Sequence, residues 1–440
     1  MSEGAAREHW GSRFGFVMAA VGSAVGLGNM WRFSYLAAEN GGAAFVMLYL
    51  GMTLLVALPI MLAEFTLGRG AGKSPVAALA HYGGAAWRPL GWIFVAAGFL
   101  ILAYYSVIAG WTLRYTLIGL RDGFAGDASA RFTAIATGPQ AIAFHAAFMA
   151  LTVAVVAGGV RGGIERTNVV LMPILFAILI GLAIYAARLD GAAAGYAYYL
   201  RPRVEEVASF AVLSQAAGQA FFSLSLGMGA MLTYASYLDR NHHLPNESLQ
   251  VAGTDFLVAF VAGLAIFPLI FAHGLETAVG ESTIGALFIT LPTAFAKMGM
   301  AGLIVGVLFF AALVVGALTS AIALLEQVVA TAMDVFAWPR RASAIGLGAV
   351  TFVMGIPAAL DLDVLGTMDQ LAGNVFLVVG SLALAVFVGW IMRDPIAEVT
   401  VGAPGIRWFF LWRNLLRFVV PPVLLVVLYH SVVALLAAFG

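Results

Sequence analysis

The sequence predicts an all-α integral membrane protein, and three observations carry that expectation. Of its 440 residues 62% are hydrophobic and 10% charged, with a mean hydropathy of +0.98, whereas soluble chains carry roughly 25% charged residues. Its apolar stretches are continuous, as helical spans of roughly 20 residues require, and do not alternate over about ten residues as barrel strands do. Lys and Arg (22) balance Asp and Glu (22), and cysteine is absent. That composition gives no basic stripe for phosphates, no thiolate metal site, no disulfide and no Cys nucleophile. A soluble enzyme, a disordered scaffold and a nucleic-acid binder are excluded.

Polar, Pro and Gly punctuation divides the chain into eleven apolar runs. The first, 14–37, follows a short charged head, lacks a small-residue cleavage site and reads as a retained span rather than a signal peptide. The second, 42–68, opens after Gly41-Gly42 and stops at Arg69; the third, 88–120, stops at Arg121. The fourth, 139–158, opens on Pro139, and the fifth, 167–187, stops at Arg188. The sixth is 209–237, the seventh 251–274, and the long eighth 299–335. The ninth, 343–359, follows Pro339-Arg340-Arg341; the tenth, 366–392, ends at Arg393; the eleventh is 408–437. The chain therefore reads as one transmembrane domain, 1–440, with no separate soluble part.

Arg7, Arg13, Arg69, Lys73, Arg88, Arg161, Arg166, Arg240, Arg340, Arg341, Arg393, Arg407, Arg413 and Arg417 fall on one side of such a chain. About half as many, including Arg121, Arg131, Arg188, Arg201, Arg203 and Lys297, fall on the other. The positive-inside bias puts the N-terminus in the cytoplasm and, for eleven spans, Gly440 outside.

Two runs are interrupted near their middles: the first by Gly22, Gly26 and Gly28, the sixth by Ser223-Leu224-Ser225-Leu226-Gly227-Met228-Gly229. Each interior Gly costs roughly 1 kcal/mol relative to Ala, so these segments invite unwinding. Broken backbone at that depth persists only against protein or a cavity. Paired breaks in the first and sixth of two five-span halves (14–187 and 209–392, with 408–437 extra) point to inverted repeats with a site at the breaks. Close helix packing through small residues is the alternative. Asn29, Ser223, Thr319, Ser320 and Asp255, with freed carbonyls, are oxygen donors suited to a small hard cation, hence sodium. An ionised Asp255 within an apolar run costs about 2.5–3.5 kcal/mol. Either a positive group offsets it or it lies near a wet cytoplasmic helix end.

Arg7-Glu8-His9-Trp10, Gly22 through Arg32 (GSAVGLGNMWR), Glu39 through Phe45, and Gly218 through Ser225 (GQAFFSLS) resemble the neurotransmitter:sodium symporter family, in its prokaryotic amino-acid transporter branch, along essentially the whole chain. The resemblance implies the leucine-transporter fold, with two inverted five-helix repeats plus an eleventh helix and no twelfth. It also implies sodium-coupled import by alternating access at a bacterial-type inner membrane, and the site residues that follow. A first sodium would meet the Ala24 carbonyl, Asn29, Ser223 and Asp255; a second, carbonyls of Gly22, Val25 and Gly316 with the hydroxyls of Thr319 and Ser320. Chloride-dependent relatives carry Asn where this chain has Asp255, so chloride independence is expected.

The substrate carboxylate would meet N–H groups of Leu27 and Gly28 at a half-helix N-terminus and the Tyr105 hydroxyl. Its ammonium would meet carbonyls of Ala24, Phe222 and Ser223. The side-chain pocket would be Ile101, Tyr105, Phe222, Ser225, Met228, Ser320 and Leu324, uncharged and fitted to a hydrophobic L-amino acid, aliphatic or aromatic. Arg32 and Asp369, with Gln219, would gate the outer vestibule under a lid of Tyr105 and Phe222. Arg7 and Asp334, steadied by Trp10 and Tyr237, would latch the inner mouth. Glu64 would accept hydrogen bonds from unwound N–H groups. Gly163 and Pro173, with nine residues between them, would let the fifth span unwind on its cytoplasmic side.

The scattered histidines form no HExxH or nucleophile pattern, so the chain is not read as an enzyme. Polar groups gathered at one midplane site do not make a continuous pore. A non-transporting amino-acid sensor on the same fold, or a symporter of another small amine or amino acid, remains the alternative.

Overall fold

The computed structural model describes residues 8–202, 210–275, 286–402 and 408–439. Arg7, Arg203 and Arg407, used above, lie outside the described residues. Among those described, nine helices are long and apolar enough to cross a membrane: Ala43–Ala71, Ala85–Arg121, Pro139–Ala157, Val160–Ala186, Leu244–Ala272, Gly299–Phe336, Arg340–Leu360, Leu362–Ile391 and Phe409–Val433. They correspond to runs two to five and seven to eleven. The first run is a bent pair, Arg13–Ala24 and Gly28–Glu39, meeting at 52°. The sixth is divided into Phe210–Ser223 and Ala230–Ala235 by turns over 224–229.

Two starts lie seven residues further upstream than hydropathy placed them. The seventh helix begins at Leu244 rather than 251, because Pro245 occupies its first turn and the His243 ring accepts from the Asn246 N–H. The fifth begins at Val160 rather than 167, with a wide π turn over Val160–Glu165. Both openings are polar or Gly-rich, so an apolar window misses them.

The third and eighth spans pack along each other and against the fourth and ninth. The third-span window is 78% buried and the eleventh 22%, so the third lies inside the bundle and the eleventh on its edge. Arg13–Ala24 packs on the fifth, seventh and eighth spans. The sixth is held by the second: Phe210–Ser223 lies against Ala43–Met52, and Ala230–Ala235 against Leu58–Ala71. Both breaks therefore sit inside the protein, away from lipid.

Candidate functional site

The sixth-span break requires its glycines. Gly227 and Gly229 have φ of +75° and +83°, a left-handed region costly for other residues. A Cβ on Gly227 would stand 2.1 Å from the Leu377 carbonyl oxygen. Unwinding frees N–H groups, and Glu64 of the second span takes two: Gly227 N–H donates to Oε1 at 2.9 Å and Leu232 N–H to Oε2 at 3.0 Å. Each would be costly to bury alone, so a fully buried carboxylate holds the break open. In the first span Val25 leaves the helix at ψ +107°, and Ser225 Oγ ties the two breaks together by donating to the Ser23 carbonyl at 2.8 Å.

Asp255 is completely buried, eleven residues and so about 16 Å inside its helix. A wet helix end is thus excluded. The protein groups that reach its carboxylate are neutral. Asn29 Nδ2 donates to Oδ1 at 2.7 Å, Ser223 Oγ lies 2.9 Å from both carboxylate oxygens, and Tyr49 donates to Oδ2 at 3.0 Å. Asn29 Nδ2 also donates to Ser223 Oγ at 3.0 Å, and its Oδ1 accepts from Gly26 N–H at 3.0 Å. Tyr49 carried no mark in the sequence beyond being an aromatic in an apolar run.

A second oxygen cluster joins the first span to the eighth. Ser320 Oγ donates toward the carbonyls of Gly22 (3.3 Å) and Val25 (3.4 Å), and Thr319 Oγ1 donates to the Gly316 carbonyl at 3.0 Å. Gly316 packs against Gly26: a Cβ there would lie 3.4 Å from the Gly26 Cα. No group of three or more His, Cys, Asp or Glu able to hold a metal occurs among the described residues; both clusters offer neutral oxygens and at most one carboxylate.

Between the breaks lies a cavity of about 20 Å³ lined by Ser23, Ala24, Gly26, Gly28, Ile101, Tyr105, Phe222, Ser223, Ser225, Met228, Ser320 and Leu324. Of the residues expected to hold substrate only Leu27 is missing from this wall, and its N–H donates to the Tyr105 hydroxyl at 3.2 Å. Tyr105 and Phe222 separate this cavity from a larger one of about 170 Å³, which Leu27, Trp31, Arg32, Tyr104, Leu365 and Asp369 help to line. Arg32 and Asp369 share that cavity, but each has another partner. Arg32 Nη1 approaches Gln219 Oε1 at 3.5 Å, with the guanidinium 5.0 Å from the Phe222 ring centroid, while Tyr104 donates to Asp369 Oδ1 at 2.8 Å. Gln219 Nε2 donates to the Gly28 carbonyl at 2.9 Å.

At the opposite end, Trp10 Nε1 donates to the Tyr234 carbonyl at 2.9 Å, and its ring meets Tyr237 edge-on at 6.3 Å. Asp334 accepts from the Ser74 N–H at 2.5 Å. Sequence reading missed what lies beside them. Tyr237 donates to buried Glu326 at 2.5 Å, and Arg340 grips Glu326 through two nitrogens at 2.6 and 3.0 Å and Glu8 at 2.9 Å. Glu326, a carboxylate inside the eighth apolar run, was the available signal. Gly163 and Pro173 both lie in the fifth helix, Gly163 in its π turn; a Cβ on Gly163 would stand 1.9 Å from the Val155 carbonyl oxygen.

The chain is 36% identical to an uncharacterised sodium-dependent transporter of Bacillus subtilis, YhdH, over 96% of this chain and 97% of that one. To an uncharacterised sodium-dependent transporter of Methanocaldococcus jannaschii it is 32% identical, over 96% and 90%. The crystal structure of MhsT in complex with L-phenylalanine superposes with a TM-score of 0.88 at 42% identity, covering 97% of this chain and 99% of that one. The fold is therefore that of the leucine transporter, with its first and sixth helices broken, and the family's members are multi-pass transporters rather than enzymes. The sequence pattern of the Sodium:neurotransmitter symporter family matches residues 7–129 and 136–438, and the chain belongs to that family.

Proposed function

We propose that this sodium symporter imports a neutral, hydrophobic L-amino acid by alternating access, without chloride. The observation that carries this reading is the uncharged cavity between the two breaks, with backbone and hydroxyl groups at one end and Ile101, Phe222, Met228 and Leu324 along its wall. A charged substrate side chain would be costly there, and MhsT, bound to L-phenylalanine, is a similar protein. The substrate carboxylate meets the N–H groups of Leu27 and Gly28 and the Tyr105 hydroxyl; the ammonium meets the carbonyls of Ala24, Phe222 and Ser223.

Sodium travels as a co-substrate in two sites. One uses the Ala24 carbonyl, Asn29, Ser223 and Asp255, with the Asn29 amide turned to present Oδ1. The other uses the carbonyls of Gly22, Val25 and Gly316 with Thr319 and Ser320. Asp255 supplies at the first site a negative charge that would otherwise call for a chloride ion. Arg32, Asp369 and Gln219 gate the vestibule and Asp334, with Arg7, the inner mouth, while Trp10 and Tyr237 steady the latter. Unwinding between Gly163 and Pro173 opens the route inward. Segments 14–187 and 209–392 are the inverted halves, 408–437 the added helix, and the N-terminus faces the cytoplasm of a bacterial-type inner membrane.

Binding of labelled L-amino acids to the purified protein, in sodium or choline and in chloride or gluconate, tests this. Sodium-dependent, chloride-indifferent binding of leucine, phenylalanine or tryptophan, and none of aspartate or lysine, is expected. Sodium-independent binding, or preference for a charged side chain, would overturn the reading.

A further inference from the structure

The fifth span carries a buried polar atom that the proposed sites do not use. Asn168 is fully buried, and its Nδ2 donates to the Ile164 carbonyl of its own helix at 2.9 Å. That bond fixes which way the amide faces, because the reverse would set two oxygens against each other. Oδ1 is then turned across the interface, where it has no hydrogen-bond partner. It fills the place where a side chain on Gly22 would be: a Cβ there would stand 2.0 Å from Asn168 Oδ1 and 3.0 Å from Thr319 Cβ. Gly22 and Thr319 are both members of the second oxygen cluster. An unpaired amide oxygen from a third helix thus borders that cluster, and a buried acceptor left without a donor is costly.

One turn towards the cytoplasmic end of the same helix face stands Glu165. Its carboxylate accepts from the Gly11 N–H at 2.6 Å and Ser12 Oγ at 2.9 Å, and crowds the space beside Gly15. Gly15 and Gly22 lie along the first span and Gly11 just before it, and the residues opposite them present oxygen: Glu165 to Gly11 and Gly15, Asn168 to Gly22. Both lie in the 163–173 interval whose unwinding is proposed to open the way out.

We propose that Asn168 Oδ1 is a transfer ligand, taking the sodium ion from the Gly22, Thr319 and Ser320 cluster and passing it towards Glu165 as the ion leaves. The inference rests on the sodium-coupled reading above. A carbonyl-type oxygen suits a hard cation, and a group already stripped of water and donors meets the ion without first losing a partner.

The test uses Asn168→Leu, which keeps the bulk and removes the oxygen, and Asn168→Asp, which keeps an oxygen and adds charge. Each is measured for sodium-dependent substrate binding in detergent, for turnover in proteoliposomes, and for inhibition of uptake by sodium inside the vesicle. Asn168→Leu is expected to bind sodium and substrate within about twofold of the parent, to turn over at least fivefold more slowly, and to lose sensitivity to internal sodium. Asn168→Asp is expected to be inhibited at several-fold lower internal sodium; it decides the matter if the Leu variant does not fold. Parental turnover and parental inhibition in both variants would overturn the transfer role. So would a tenfold loss of sodium affinity in detergent, which would make Asn168 a ligand of the resting site. Absence of sodium dependence in the parent protein would instead remove the sodium-coupled reading, and this inference with it.

Discussion

The hydroxyl of Ser223 lies 2.9 Å from both carboxylate oxygens of Asp255, joining the broken sixth span to the middle of the seventh inside a fully buried cluster. Ser223 has one proton to donate and Asp255 two oxygens to satisfy, so the carboxylate also draws on Asn29 and Tyr49. These neutral groups lower the cost of a buried negative charge, which suits the sodium role proposed for this cluster.

Asp255→Asn removes that charge while keeping the shape. Hydrogen bonds to charged groups contribute about 1.5–3 kcal/mol, so the sodium concentration for half-maximal transport is expected to rise by roughly tenfold or more, at about 1.4 kcal/mol per tenfold. Chloride is expected to restore part of the loss. Sodium titrations in chloride and in gluconate measure both, and an unchanged sodium response would remove Asp255 from the site.

Tyr105→Phe deletes the hydroxyl that accepts from the Leu27 N–H. A hydrogen bond to a charged group contributes about 1.5–3 kcal/mol, so α-amino acid affinity is expected to fall by roughly tenfold to a hundredfold. Competition by the decarboxylated amine of the same side chain should not change. Equal losses for both ligands would argue against a contact with the substrate carboxylate.

Glu64→Gln keeps one acceptor and turns an NH₂ group towards either Gly227 or Leu232, whose N–H groups the carboxylate now accepts. An unsatisfied buried donor costs about 1–3 kcal/mol. A lower melting temperature and weaker substrate binding are expected together, since the bonds lost are those that hold the sixth-span break. Thermal unfolding followed by tryptophan fluorescence checks the first and ligand binding the second.

Glu326→Gln weakens the grip of Arg340 and the bond from Tyr237. Breaking a buried pair costs about 3–5 kcal/mol, here in a network that ties Tyr237, Glu326, Arg340 and Glu8 together. The variant is expected to expose a cysteine introduced at Ser236, a buried position next to Tyr237, to a soluble maleimide severalfold faster than the parent background. Equal labelling rates would show that the network does not hold the mouth shut.

Much of this was legible in the sequence because it depends on local backbone chemistry. Gly26, Gly28, Gly227 and Gly229 mark breaks, and a carboxylate such as Glu64 inside an apolar run has to meet freed N–H groups. The oxygen donors Asn29 and Ser223 sit beside those breaks in the chain itself, whereas Thr319 and Ser320 stand in the eighth span. What could not be read depends on distant partners. Tyr49 reaches Asp255 across 206 residues, and Glu8 reaches Arg340 only once two segments far apart in the chain are folded together. Asn168 is an ordinary helix residue until Gly22 is seen to leave it room. The first turns at Leu244 and Val160 were lost to hydropathy because a His243 cap begins one and a Gly-rich π turn the other, neither of them apolar.

The most direct measurement is uptake of labelled L-phenylalanine and L-leucine into proteoliposomes under an inward sodium gradient, against a potassium-balanced control, with chloride replaced by gluconate. Accumulation above equilibrium that requires the sodium gradient and ignores the replacement is the expected result. Sodium-dependent binding without accumulation, or accumulation that stops in gluconate, would contradict the account.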